Sequence, residues 1–231
     1  FGIEPEEFQE DKLMEWLESD VNVSRNIGRT TEGIFAPWAI YKDDFLSIGG
    51  HDPLYAPQSK EDSDIFNRFQ LAGYETIQTW SGHVYHMTCR GSRFKDGAMR
   101  NPAGQVFMKG RESSEWLRQN LRSTRNFIRK WGHMVKHDEY LKPIVPPKYD
   151  IGFVAYNCDK NLLRELEPWC SKIYLDYGSD YMGEYVRNEQ PDTQFDIDEK
   201  IKMYGDTKPT DLGHDVVVEF DCQKLTPQNF Q

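Results

Sequence analysis

No apolar run in the sequence approaches the ~18 residues that a membrane-crossing helix needs. There are only four cysteines, Cys89, Cys158, Cys170 and Cys222, and none sits in a C-x-x-C pair. Such sparse, scattered thiols exclude a small disulfide scaffold and offer no zinc-finger spacing. They read as reduced thiols in a cytoplasmic protein. Basic residues are outnumbered, 28 Lys and Arg against 38 Asp and Glu, for a formal net charge of -10. A bulk nucleic-acid binder carries the opposite sign, so no nucleic-acid partner is expected. There is no internal repeat, no low-complexity tract and no H-E-x-x-H. The chain begins Phe1-Gly2-Ile3 and ends Asn229-Phe230-Gln231, and both ends read as internal to a longer reading frame.

Aromatic residues make up 13% of the 231 positions and apolar ones 38%, rich enough for a packed core and too rich for wholesale disorder. The charge is unevenly spread. Residues 90–148 carry 14 basic and five acidic side chains, so the rest of the chain is strongly acidic. Residues 4–20 read as an acidic helix, 29–33 as a turn and 34–41 as a buried strand despite Pro37. A short helix over 42–48 ends at Gly49-Gly50. Residues 61–72 form the clearest helix, with Ile65, Phe66 and Phe69 on its apolar face and Gly73 beyond its end. Strands are expected over 75–79 and 82–86, a mobile loop over 89–110, and a helix over 113–131. Arg118, Arg122, Arg125 and Arg129 fall on one stripe of that last helix and read as its solvated face. Pro143, Pro146 and Pro147 mark a linker. Beyond it, strands over 151–156, 172–176 and 215–220 and a helix over 159–166 predict a second α/β unit. Trp169, Cys170 and Tyr174 in that unit read as core.

Three features with chemical potential follow one another. The Gly49-Gly50 turn lets the backbone bend sharply or approach a ligand. Glu61 and Asp62 open a helix, with Asp64 two residues on. Carboxylates suit a helix N-terminus as caps and as partners of its dipole. A carboxylate held there and facing a cleft can also take a proton from a hydroxyl, provided it lies within hydrogen-bond reach. His83 and His86 then precede Arg90 and Arg93. Imidazole binds divalent metals, and guanidinium holds phosphate oxygens. On a strand, His83 and His86 point to opposite faces, so only one joins a given site. Asp62-Ser63-Asp64 and Asp196-Ile197-Asp198 match the letters of D-x-D, but neither follows an apolar strand, and neither reads as a metal motif.

Taken together, Gly49-Gly50-His51-Asp52, Glu61-Asp62-Ser63-Asp64, Leu71-Ala72-Gly73-Tyr74 and Val84-Tyr85-His86 resemble, in order and spacing, the second half of a family 2 glycosyltransferase with the GT-A fold. Thr88 to Phe94 and Phe127 to Gly132 resemble the viral, phage and aquatic-microbe members. The resemblance covers about residues 30–135. It implies an α/β protein: a partial GT-A, Rossmann-like domain over 1–145, with a trailing basic helix, followed by a second small α/β unit over 149–231. It implies transfer of a hexosyl group, with inversion, from a nucleoside diphosphate sugar to a hydroxyl of a glycan or other acceptor. Asp62 matches the catalytic base, with Glu61 beside it and Asp64 shaping the acceptor site and helix start. His86 matches the His of a Mn²⁺ or Mg²⁺ site, with His83 as second candidate. Arg90 and Arg93 match a loop that closes over the donor pyrophosphate. Trp38, Gly49, Gly50, His51 and Asp52 line the substrate side. The family's nucleotide-binding half, which precedes these motifs and ends in its D-x-D, has no counterpart in the first 30 residues. The chain is therefore expected to be a fragment, weakly active or inactive alone.

Two other functions use the same residues. A non-enzymatic carbohydrate-binding module would hold a glycan on Trp38, Trp80 and Tyr85. A metal hydrolase would use Asp62, Asp64, His83 and His86, but without the spacing such sites carry.

Overall fold

The second half of the chain follows the expected strand and helix alternation. Hydrophobic runs at Ile151–Tyr156 (β5), Lys172–Leu175 (β6) and Val216–Asp221 (β8) form strands, joined by a short strand at Ile201–Met203 (β7). All pairings are parallel, and the strand order is β7-β6-β5-β8. Helices α6 (Lys160–Leu166), α7 (Met182–Glu189) and α8 (Ile197–Lys200) connect them. Asp159 caps α6 by accepting from the Leu162 N–H at 2.8 Å. Asp196 caps α8 in the same way, accepting from the Glu199 N–H at 3.0 Å. Ala155, Leu163, Leu166, Ile173, Leu175 and Ile197 are buried in one core. The protein is thus α/β, as the sequence implies. Three buried cysteines, Cys158, Cys170 and Cys222, are free thiols. Cys170 belongs to the core as expected, whereas Trp169 is exposed.

The structure, a computed structural model, describes residues 1–2, 7–86, 99–100, 106–107, 114–176, 180–205 and 208–226. These residues form two compact units, each assembled from three stretches of chain. The first comprises 1–51, 65–121 and 137–144. The second comprises 52–64, 122–136 and 145–231. The sequence reading divides the chain once, between 145 and 149. The observed division instead includes the start of the Glu61 helix and the end of the basic helix in the second unit.

In the first unit, helices α1 (Glu10–Glu18), α2 (Asp20–Asn26) and α3 (Lys42–Ser47) precede α4 (Glu61–Leu71), whose residues from Ile65 onward belong here. Ile65, Phe66 and Phe69 of α4 are buried against Ile34, Trp38, Ile40, Phe45, Ile48 and Tyr74. Thr30–Glu32 (β1) pairs antiparallel with Ile77–Thr79 (β2). The expected turn at 29–33 is therefore a strand, made by the β-branched pair Thr30-Thr31 and ended by Gly33. The expected strand over 34–41 does not form. Pro37 has no N–H for a ladder, and the segment sends Ile34, Trp38 and Ile40 inward while Phe35 and Tyr41 stay exposed. The strand expected over 82–86 does not form among the described residues: Trp80, Ser81 and Gly82 follow β2, and 82–86 carry no strand.

Met99–Arg100 (β3) pairs with Val106–Phe107 (β4), so the expected loop over 89–110 contains a short antiparallel ladder. Its other residues lie outside the described ones. Helix α5 (Ser114–Trp131) matches the expected element. Among the described residues, no helix is long and apolar enough to cross a membrane.

Candidate active site

The start of α4 gathers four of the predicted site residues in the second unit: Glu61, Asp62, Asp64 and Asp52. The chain enters the helix through two non-glycine residues in the left-handed region, Ser59 (φ 81) and Lys60 (φ 75). Such conformations cost on the order of 1–3 kcal/mol each and persist where the surroundings impose them. Burial lowers the Lys60 pKa, and Glu61 partly offsets that shift.

The carboxylates at this turn have different surroundings. Asp64 is 0% exposed. Its Oδ1 accepts from Trp131 Nε1 at 2.9 Å and from the Tyr55 hydroxyl at 3.3 Å, and lies 2.7 Å from Lys130 Nζ. Lys130 also donates to Asp52 Oδ2 at 2.7 Å, while Asp52 Oδ1 accepts from the Leu54 N–H at 2.9 Å. Burial, then Asp64 and Asp52, push the Tyr55 pKa up, which keeps its hydroxyl a donor. Leu54, Tyr55 and Phe127 pack together with Trp131 and Phe195 around this group. Asp64 and Asp52 therefore hold the helix start to α5, and the buried Asp64 carboxylate faces protein rather than a substrate.

Glu61 and Asp62 are only half-buried. Asp62 has no hydrogen bond or ion pair among the described residues. Glu61 Oε2 is a buried acceptor with no hydrogen-bond partner among the described residues. A solvent-reachable Asp62, on a turn fixed by its neighbour Asp64, can accept a proton from a hydroxyl brought to it.

Sequence reasoning missed Lys130, Trp131 and Tyr55. The one available signal was the Phe127 to Gly132 run, where Trp131 counted only as part of an apolar face. It also misplaced two arginines. Arg118 is exposed, as expected of a solvated face, but Arg125 and Arg129 are buried. The Arg129 side chain is 0% exposed. Its Nη2 donates to Glu167 at 2.5 Å and to Glu189 at 2.7 Å, and its Nη1 to Asn126 at 2.9 Å. Arg125 donates to both oxygens of Glu189, at 2.8 and 3.0 Å. Lys200 lies 2.7 Å from Glu167, and Tyr185 donates to it at 3.1 Å. Burial alone raises the Glu167 pKa, but Lys200 and Arg129 outweigh it and hold the carboxyl well below its ordinary range. Arg122 is tied as well, donating to the Ala56 carbonyl at 2.5 Å. A helical stripe of arginines became a buried ionic face because its acidic partners come from distant helices.

The other predicted residues belong to the first unit. Trp38 is half-buried, its ring among those of Phe45, Phe66, Phe69 and His51. Gly49 (φ 89) and Gly50 (φ 63) end α3 in left-handed conformations. Arg68 of α4 donates to the Ile48 carbonyl at 2.5 Å and to the Gly50 carbonyl at 2.6 Å. This turn is a helix cap clamped by an arginine. His51 is exposed. So are His83, whose ring meets Trp16 edge-on at 5.3 Å, and His86.

Among the described residues, no three His, Cys, Asp or Glu side chains come together as a metal ion would require. No step below runs through a metal at His83 or His86. Arg90 and Arg93 lie outside the described residues. The rings suited to a glycan platform are already engaged. Trp80 carries the Arg29 guanidinium 4.1 Å from its ring centroid, and Tyr85 stacks on Phe8 at 5.5 Å. None of the family models, curated proteins or solved structures compared with this chain matches it.

Proposed function

We propose that the chain carries the base and acceptor side of a glycosyl-transfer site of the partial GT-A kind, with Asp62 as general base. An acceptor hydroxyl oxygen attacks the anomeric carbon of a nucleoside diphosphate sugar. Its proton goes to the Asp62 carboxylate as the carbon–oxygen bond forms. The bond to the diphosphate breaks, the electron pair leaves with the diphosphate oxygen, and the anomeric configuration inverts. Glu61 lies beside the base and shapes its approach. Asp64, through Tyr55, Lys130 and Trp131, is a positioning residue.

The reading is carried by the contrast at one helix turn: a buried, triply bonded Asp64 and, two residues earlier, a reachable Asp62 without a partner among the described residues. The test is release of nucleoside diphosphate from a panel of sugar nucleotides, with and without simple sugar acceptors, using the chain as it stands. Slow, acceptor-stimulated release is expected, falling about 10²–10⁴-fold in Asp62→Asn. Release that ignores the acceptor, or that Asp62→Asn leaves intact, would overturn the proposal.

A further inference from the structure

Two of the three buried thiols meet. Cys158 stands two residues beyond β5, and Cys222 directly follows β8, at the start of a short 3-10 turn over Cys222–Lys224. β5 and β8 are parallel neighbours with Tyr156 opposite Asp221, so they deliver both cysteines to the same end of the sheet. The strands stay joined past the ladder, where Asn157 Nδ2 donates to Asp221 Oδ1 at 3.0 Å. Both side chains are buried in the core of the second unit, Cys158 at 6% and Cys222 at 8% exposure. Each thiol lies within hydrogen-bonding reach of the other. Cys158 Sγ also lies 3.5 Å from the Asp159 carbonyl oxygen. The third buried thiol, Cys170, instead donates to the carbonyl of Glu167 at 3.4 Å.

Burial pushes both thiols up, so in the closed fold they stay protonated and attack no oxidant. β8, however, is an edge strand. Among the described residues it pairs only with β5, and its Val216 and Val218 are exposed. Elements with few buried contacts open locally at a lower cost than unfolding the whole unit. Opening at the end of β8 frees both thiols together, and closing returns them to contact. A covalent bond made in that interval fits the closed arrangement, because the fold itself holds the two sulfurs side by side.

We propose that Cys158 and Cys222 are a disulfide-forming pair, oxidised by a low-molecular-weight disulfide, and that the bond locks the edge strand β8 to β5. The Cys222 thiolate attacks one sulfur of glutathione disulfide. That S–S bond breaks, and one glutathione leaves with the electron pair and takes up a proton. The Cys158 thiolate then attacks the Cys222 sulfur of the mixed disulfide and expels the second glutathione, which is protonated in turn. The two cysteines lose two electrons and two protons, and the oxidant becomes two thiols. The pair is independent of the transfer reading and of Asp62.

Cys89 lies outside the described residues, so the full chain carrying Cys89→Ser serves as parent for the test. It is treated with glutathione disulfide both as the folded protein and during refolding from urea, then quenched in acid, alkylated and digested with trypsin. Peptides 149–160 and 203–224 should be joined in both samples, more slowly in the folded one, and parted by dithiothreitol, with Cys170 alkylated throughout. The oxidised chain should unfold at a higher urea concentration than the reduced chain. Cys158→Ser, or Cys222→Ser if that variant does not fold, should abolish the increase. Cys170 in the cross-link, stable glutathione adducts at Cys158 and Cys222 in its place, or no cross-link in either sample would each overturn the pairing. Cross-linking confined to refolding would overturn local opening as the route. An oxidised chain that unfolds in less urea than the reduced one would overturn the lock.

Discussion

The two compact units are held together by different physics. The first relies on aromatic packing: Ile65, Phe66 and Phe69 against half-buried rings, with strand pairs of only two or three residues a side. The second has a continuous parallel sheet and, beneath it, a buried set of charges in which Arg125, Arg129 and Lys200 face Glu167 and Glu189. Apolar packing strands no charge: a lost side chain costs its own burial and the cavity it leaves. A buried ionic set is exposed to a further cost, because removing one member leaves buried opposite charge only partly compensated. The second unit should therefore fail abruptly under single polar substitutions that the first would absorb.

The largest effect tests that contrast directly. Arg129→Leu removes the cation shared by two buried carboxylates, leaving Glu167 to Lys200 and Glu189 to Arg125, and should cost about 3–5 kcal/mol. A ring truncation in the first unit, Phe69→Ala, should cost about as much through its cavity. Polar changes separate the units. Arg68→Met, which loses two carbonyl contacts on a half-buried side chain, should cost only about 1–2 kcal/mol. Urea unfolding followed by circular dichroism measures all three. Equal losses for Arg129→Leu and Arg68→Met would erase the distinction.

Acid should break the second unit next. The folded Glu167 carboxyl titrates below its ordinary value of 4.5 because Lys200 and Arg129 outweigh the burial that raises it. A depressed carboxyl pKa stabilises the fold above the unfolded value, and that stability is lost as pH falls toward the folded one. The urea midpoint should thus drop steadily below about pH 4.5, and the drop should shrink in Glu167→Gln. A variant with the same acid profile as the parent would show that Glu167 is not the group responsible.

How much of this the sequence disclosed depends on how local each cause is. β5, β6, β8 and α6 were legible because each is specified by its own run of residues and, for α6, by Asp159. β7 was not, because its three residues follow a four-residue helix without a turn and include Lys202. The helix opened by Glu61, Asp62 and Asp64 was legible as an element. Which carboxylate turns inward was not, since Lys130 and Trp131 lie on another helix far along the chain. The arginine stripe failed for the same reason: helical periodicity reports that side chains share a face, not what covers it.

That distinction between inward and outward carboxylates gives a smaller but sharper pair of variants. Asp64→Asn replaces a buried, charge-paired acceptor and should lose about 1–3 kcal/mol. Asp62→Asn should unfold within about 0.5 kcal/mol of the parent, as half-exposed substitutions without partners do. Its loss should appear in nucleoside diphosphate release instead. If Asp62→Asn proves the more destabilising of the two, Asp62 is a structural cap and the assignment of the base fails.

The smallest effect bears on why the helix start is built as it is. Ser59 and Lys60 occupy the left-handed region without being glycine, directly ahead of Glu61. If that strain is imposed by the surroundings, Ser59→Gly relieves it and should stabilise the second unit by a few tenths to about 1 kcal/mol. The gain is small because glycine also loosens the unfolded chain, and the two effects oppose each other. The consequence for the site is the informative part. Ser59 and Lys60 aim the first turn of α4, so a freer entry lets Asp62 sample more orientations. Release of nucleoside diphosphate should then fall severalfold although the protein is no less stable. A stabilised Ser59→Gly with undiminished release would show that the strained entry does not position the base, and that Asp64 and its partners are enough to hold it.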